Sequence, residues 1–295
     1  TVEGSTDRIV LTNPYEQTVV ADIRFSTREG SRTPARYAGL TVAPRSVRVI
    51  DLGAPGAGAQ SEPLLAVTVE VSQGRLVVGR SQTYLGGGRR GTQVTLAQPA
   101  LRDQWWFAAS HFGAGYDETY AIYNPTDGAV DVDVVFLGTP ELVDTEPIAV
   151  DPRSVVMFDP ADVDGLPEGR YAAVFATLSE PTVVVERVTT RTLDDTVATS
   201  VLAGATSRPD GFYPTAWHVT RAPEAATSDA LIVHNADNAA GAVTVYAVGS
   251  SGPVAVPGIE NLTLPAAGQL VIDLTDDAAL GRHLIIETSN RVFVE

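Results

Sequence analysis

The chain has 295 residues, 44% of them hydrophobic, with no Cys and a formal net charge of −16. That length and apolar content suffice for two or three separate cores, and the lack of thiols excludes a disulfide framework, a thiolate nucleophile and a Cys-ligated metal. The acidic balance is unsuited to nucleic acid or an anionic membrane surface.

All 20 basic residues are Arg, and Ala, Val, Gly and Asp are abundant, a usage that points to a high-GC bacterial genome. The charge is uneven: residues 1–101 carry 11 Arg against 8 acidic side chains, residues 102–208 carry 6 against 18, and residues 209–295 carry 3 against 10. No apolar run reaches the ~18 residues of a membrane span. No signal peptide is recognisable, so an export signal or anchor is expected outside these residues.

Along the chain, the first element is Val10-Leu11-Thr12-Asn13-Pro14, a strand ending at an Asn-Pro pair, followed by the alternating segment Val19 to Phe25. Next, Leu40-Thr41-Val42-Ala43-Pro44-Arg45-Ser46-Val47-Arg48-Val49-Ile50-Asp51 reads as a short strand, a Pro-initiated turn, a second strand and a terminal Asp. Pro biases its predecessor toward extended geometry and lacks an N–H, so it suits a strand end. Ser46 can bond the local backbone, and the β-branched run behind it fits a pleated surface. A third signature, Arg75-Leu76-Val77-Val78-Gly79-Arg80, closes the set.

All three signatures return twice in the same order. Asn124 and Asn235 follow Asn13 at intervals of 111 residues; the turn recurs over Pro147 to Asp159 and Leu262 to Asp273; the last strand recurs as Thr182 to Arg187 and Arg291 to Glu295. Ordered self-similarity of this kind marks tandem repeats, and a period near 110 residues matches one immunoglobulin-like sandwich of roughly 100 residues. In the middle copy the strand candidates lie near 105–110, 119–123, 130–137, 147–150, 154–158, 170–178, 182–192 and 196–203, with turn signals such as Asp127-Gly128 and Pro167-Glu168-Gly169 between them. Asp159-Pro160 predicts a capped helical turn, and Thr275 to Gly281 predicts another.

The fold class expected is therefore all-β: three tandem immunoglobulin-like β-sandwiches over 1–101, 102–208 and 209–295, with linkers near 88–104 and 193–211. Trp105 to His111 aligns with Phe212 to His218 at an offset of 107, which makes His111 and His218 repeat equivalents. The matching segment of the first copy would lie before Thr1, and the last copy stops inside its final strand.

Gly86-Gly87-Gly88-Arg89-Arg90-Gly91 matches a dinucleotide fingerprint literally, but strand-like residues follow it where a helix is required, so it reads as a loop. Asp159, Asp162, Asp164 and Glu168 resemble part of a Ca²⁺ loop without its full spacing; Ca²⁺ is the one cofactor they suggest. No His pair has metal spacing and no nucleophile elbow is present. Trp105, Trp106 and Trp217 concentrate aromatic surface at the repeat boundaries, where rings either stack on sugars or fill cores and joints. Arg24, Arg28, Arg32 and Arg36 crowd the first copy and offer a contact surface for an acidic partner.

The Asn-Pro strand end, the Pro152-Arg153-Ser154-Val155-Val156 turn and the Val183-Val184-Val185-Glu186-Arg187 strand resemble repeats in a family of exported actinobacterial tandem β-sandwich proteins that carries a domain of unknown function. The resemblance spans nearly the whole chain. It implies an envelope or extracellular location, and its structural motifs transfer no catalytic residue.

The function expected is that of a non-catalytic spacer or interaction protein of the cell envelope or extracellular space, with a protein or envelope glycan as partner. A carbohydrate-binding protein using the boundary aromatics, and a hydrolase whose site is not visible in sequence, are the alternatives.

Overall fold

The computed structural model describes residues 4–59, 62–138, 143–178, 182–206, 215–220, 222, 230–275 and 277–295. These residues form six antiparallel sheets, two around each of three hydrophobic cores.

The first sandwich holds β1 (Thr6–Asn13), β2 (Val19–Thr27), β3 (Gly30–Arg32), β4 (Leu40–Val42), β5 (Ser46–Asp51), β6 (Ala66–Gln73), β7 (Val77–Tyr84) and β8 (Gly91–Leu96). One sheet runs β5-β1-β7-β8; in the other, β3 and β4 share one edge of β2 and β6 takes the opposite edge. The second sandwich holds β9 (Gln104–Phe112), β10 (Tyr116–Asn124), β11 (Val130–Leu137), β12 (Val143–Asp144), β13 (Ile148–Val150), β14 (Ser154–Phe158), β15 (Gly169–Ala176), β16 (Val184–Leu193) and β17 (Thr196–Ala203). Its sheets run β14-β10-β16-β17 and β12-β11-β15-β9, with β13 also on β11. The third holds β18 (Ala216–Val219), β19 (Ala230–Asn235), β20 (Gly241–Gly249), β21 (Gly252–Ala255), β22 (Leu262–Leu264), β23 (Gln269–Asp273), β24 (His283–Thr288) and β25 (Val292–Val294). Its sheets run β23-β19-β25 and β18-β24-β20-β21, with β22 also on β20.

Period-2 alternation builds the cores. Val19, Ala21, Ile23 and Phe25 point inward from β2, and Val132, Val134 and Phe136 point inward from the equivalent β11. Each Val, Ile or Phe among them, fully buried, contributes about 1.5–3 kcal/mol by the transfer scale.

The first two signatures turn out to be one device. The Asn13 amide donates to the carbonyls of Gln17, Val42 and Ala43, and its Oδ1 accepts from the Tyr15 N–H. Asn124 repeats this on Gly128, Val150, Asp151 and Thr126, and Asn235 on Ala239, Pro265 and Asp237. All three Asn are buried, so each side chain satisfies carbonyls that the Pro turn removes from sheet pairing. Those turns each place one residue in the left-handed region: Arg45 at φ 50°, Arg153 at 53° and Ala267 at 47°. Ser46 and Ser154 close two of the turns by donating to the Ala43 and Asp151 carbonyls.

The Asp159 cap forms as expected, accepting from the Ala161 N–H ahead of a 3-10 turn over Pro160–Asp162. The second expected helical turn is only in part on the described residues, since Asp276 lies outside them; residues 277–281 turn without forming a helix.

Three expectations are corrected by strand register. The linkers are shorter than 88–104 and 193–211, because β8 and β17 form hairpins with β7 and β16 inside those ranges. Trp105 pairs with Phe175, and Trp217 pairs with Ile286, the residue equivalent to Phe175, so the boundary segments align at an offset of 112 and not 107. By that register His218 occupies the place of Trp106, and His111 and His218 are not equivalents.

Candidate functional site

The side chains with the least ordinary environments lie where one sandwich meets the next. In the second sandwich Glu118 and Arg187 sit side by side on β10 and β16, with side-chain exposures of 2% and 9%. Glu118 accepts hydrogen bonds from the Tyr120 hydroxyl at 2.6 Å, the Tyr171 hydroxyl at 3.1 Å and the Thr189 hydroxyl at 3.2 Å. Arg187 stands 3.7 Å from Glu118 and 3.1 Å from Glu295, which comes from the end of the third sandwich. The same Glu295 carboxylate accepts from the Ala109 N–H at 2.8 Å.

Burial pushes the Glu118 carboxyl up, while Arg187, Tyr120 and Tyr171 pull it back. Desolvation works against the Arg187 charge, and Glu295 and Glu118 more than restore it, so its pKa is raised. A charge so placed must be paired, because removing one partner leaves the others desolvated and uncompensated.

This arrangement occurs twice. Arg80 on β7 pairs at 2.9 Å with Glu186 of the second sandwich. Its neighbour Asp7 has a carboxyl raised by burial and lowered by Arg80. By repeat position Asp7 matches Glu118, Arg80 matches Arg187 and Glu186 matches Glu295. Each joint is thus an Arg near a desolvated acid of its own sandwich, closed by a Glu from the next. Gly79 holds the Glu position in the first sandwich.

Packing surrounds each latch. At the first joint, the Tyr123 hydroxyl meets the hydroxyls of Ser26 at 3.2 Å and Thr68 at 2.6 Å. The Thr199 N–H donates to the Arg90 carbonyl and the Arg90 N–H donates to the Thr199 hydroxyl, through the Gly86 to Gly91 segment, which is a hairpin loop between β7 and β8. A Cβ on Gly91 would stand 2.5 Å from the Thr199 carbonyl oxygen, so a side chain there would break the contact. At the second joint, Trp106 stacks on Phe293 with centroids 4.4 Å apart and planes 8° off parallel, and Gln269 donates to the Ala108 carbonyl at 2.7 Å. His234 is fully buried beside Trp106, and burial alone lowers its pKa to about 4.

The expected site residues distribute as follows. Trp105 is 1% exposed and donates from its indole to the Val183 carbonyl, a core role. Trp106 belongs to the second joint. Trp217 packs partly buried against the third core and edge-on to Phe293. The three indoles are therefore not gathered on one open stacking surface. Arg24 pairs with Glu70, Arg32 with Glu62 and the Gly58 carbonyl, and Arg36 with the Gly56 carbonyl and the Tyr37 ring. Arg28 is exposed in the turn after β2. Three of these four Arg are spent within their own sandwich.

Asp159 is used as a cap, Asp162 and Asp164 line an open hollow with Asp144 and Glu146, and the Glu168 side chain packs against Gly113. Among the described residues no three His, Asp or Glu side chains gather as a metal shell. The sequence did not foresee that His218 and His283, 65 residues apart, would meet at 3.1 Å on the surface of the third sandwich.

The joints define a class: a tandem β-sandwich array whose neighbours are fixed to one another by repeat-equivalent side chains. The chain belongs to the family of unknown function DUF5719, whose model matches residues 1–208. Among solved structures, the chain is similar to Thermotoga maritima 1070 at 14% identity and a TM-score of 0.32, over 37% of this chain and 96% of that one. No curated protein matches.

Proposed function

We propose that the chain is a non-catalytic spacer and interaction protein of the cell envelope or extracellular space, in which stacked sandwiches hold binding surfaces at a fixed separation. The observation that carries this reading is the latch itself. Ion pairs stand at both joints, Arg80–Glu186 partly buried and Arg187–Glu295 nearly so, and a pair withdrawn from water imposes one geometry where a wet, flexible linker would not. Its partner is a protein or an envelope glycan, met by sandwich surfaces and strand edges.

The test is a distance distribution between spin labels on the first and third sandwiches. A single narrow distribution is expected, broadening in Arg80→Ala and Arg187→Ala. A broad distribution in the unaltered protein overturns the rigid-spacer reading. The carbohydrate-binding alternative has Trp106 and Trp217 to draw on, and a glycan array decides it.

A further inference from the structure

We infer that the edge of β6 with which no described strand pairs is an acceptor for an incoming strand, and that its occupant is an extended segment of a partner polypeptide with the pattern Trp-x-Phe or Trp-x-Val. The argument is repeat equivalence. In the second sandwich β15 lies between β11 and β9; in the third β24 lies between β20 and β18. In the first sandwich β6 is the equivalent strand and pairs with β2 on one side, but among the described residues no strand pairs with its other side.

Register makes the match residue by residue. Val67, Val69 and Val71 stand opposite Phe25, Ile23 and Ala21. The counterparts of Val67 and Val69, Ala173 and Phe175, stand on Phe136 and Val134, and Thr177 follows at the position of Val71. Ala173 and Phe175 are fully buried because Phe107 and Trp105 of β9 lie beside them, whereas Val67 and Val69 are only partly covered and Val71 is 38% exposed. Among the described residues the first core is open along the one line where the other two are closed by an aromatic-bearing strand. Backbone and side chains agree on the orientation. The N–H of Thr177 donates to the Asp103 carbonyl, and that of Thr288 to Thr215, so the Val71 N–H faces the vacant edge. Strand addition would supply main-chain bonds there, and the alternate aromatic side chains would give specificity.

The occupant is predicted to add antiparallel to β6, its Trp beside Val69 and its following apolar residue beside Val67. The probe is a synthetic peptide reproducing Gln104–Phe112 with a soluble Lys tag, added to the intact chain. Expected results are one-to-one binding by calorimetry and slowed hydrogen exchange confined to Ala66–Gln73. A peptide with both aromatic positions replaced by Ser should bind at least tenfold more weakly. Val71→Pro, which removes the outward N–H at an edge that tolerates Pro, should abolish binding while circular dichroism stays unchanged. Absence of binding, or protection outside β6, overturns the proposal. So does concentration-dependent dimerisation that protects β6 without peptide, which would make a second copy the occupant.

Discussion

Arg187 and Glu295 meet at 3.1 Å across the second joint, with 9% and 12% of their side chains exposed, and Arg80 with Glu186 repeats the pair one sandwich earlier at 23% and 25%. The difference in burial sets a difference in consequence. Arg187→Met strands Glu118 and Glu295, and a broken buried pair costs about 3–5 kcal/mol. Arg80→Met, in a wetter site, should cost about 1 kcal/mol. Urea denaturation of the two variants, followed by Trp fluorescence, measures both losses; equal losses would contradict the burial argument.

Adjacent Trp residues should behave oppositely. Trp105→Ala empties the core of the second sandwich, where large-to-small changes at an aromatic cost about 3–5 kcal/mol. Trp106→Ala removes the stack on Phe293 and should loosen the joint at about 1–2 kcal/mol, leaving both cores intact. Hydrogen exchange separates them, with β10 and β16 amides exposed in the first variant and protection lost at β25 in the second.

His234 gives the protein an acid sensitivity of known sign. Its folded pKa is held at about 4 by burial, below the ordinary 6.5, so below pH 6.5 the unfolded chain binds a proton that the folded chain refuses. Stability is therefore full above pH 6.5 and falls as pH drops toward 4, by up to about 3 kcal/mol at 1.36 kcal/mol per unit. Denaturation midpoints at pH 7.5 and 5.0 should differ in the native protein, and the difference should shrink in His234→Phe, leaving the smaller contribution of His111, which burial also lowers.

Asn124→Ala removes three donated bonds and two accepted bonds, from the Thr126 N–H and hydroxyl, at a single buried residue. Unsatisfied buried backbone groups cost about 1–3 kcal/mol each when water cannot reach them, so a total loss of about 2–4 kcal/mol is expected in thermal unfolding. Asn124→Asp should recover little of it, because a carboxylate accepts where three carbonyls need a donor.

The all-β architecture was legible because its signals are local. Alternation in Val19–Phe25 and the turn chemistry around Arg45 and Arg153 depend on neighbours a few residues away, and both placed strands correctly. The signatures were visible as repetition, but the physical reason for Asn13, Asn124 and Asn235 was not, since their partners include carbonyls up to 30 residues away. The latch was half visible: Arg80, Arg187, Glu186 and Glu295 all fell inside one recognised motif. That the Arg of one copy reaches the Glu of the next is a property of stacking, which periodicity along a strand does not encode. The boundary aromatics were misaligned because matching ring with ring and His with His favours one spacing, while the pairing of Trp105 with Phe175 and Trp217 with Ile286 imposes another.

The latch also bears on how such a chain lengthens. The middle repeat carries both halves of the joint, Glu186 facing backward and Arg187 facing forward, on consecutive residues of one strand. If a duplication in the gene copied this repeat in place, the new copy would offer its Glu to the old Arg and its Arg to the old Glu295, with no compensating substitution on either side. Whole-repeat insertion then keeps the ion pair intact at every joint from the first generation, and length becomes a trait that selection can adjust in steps of one sandwich.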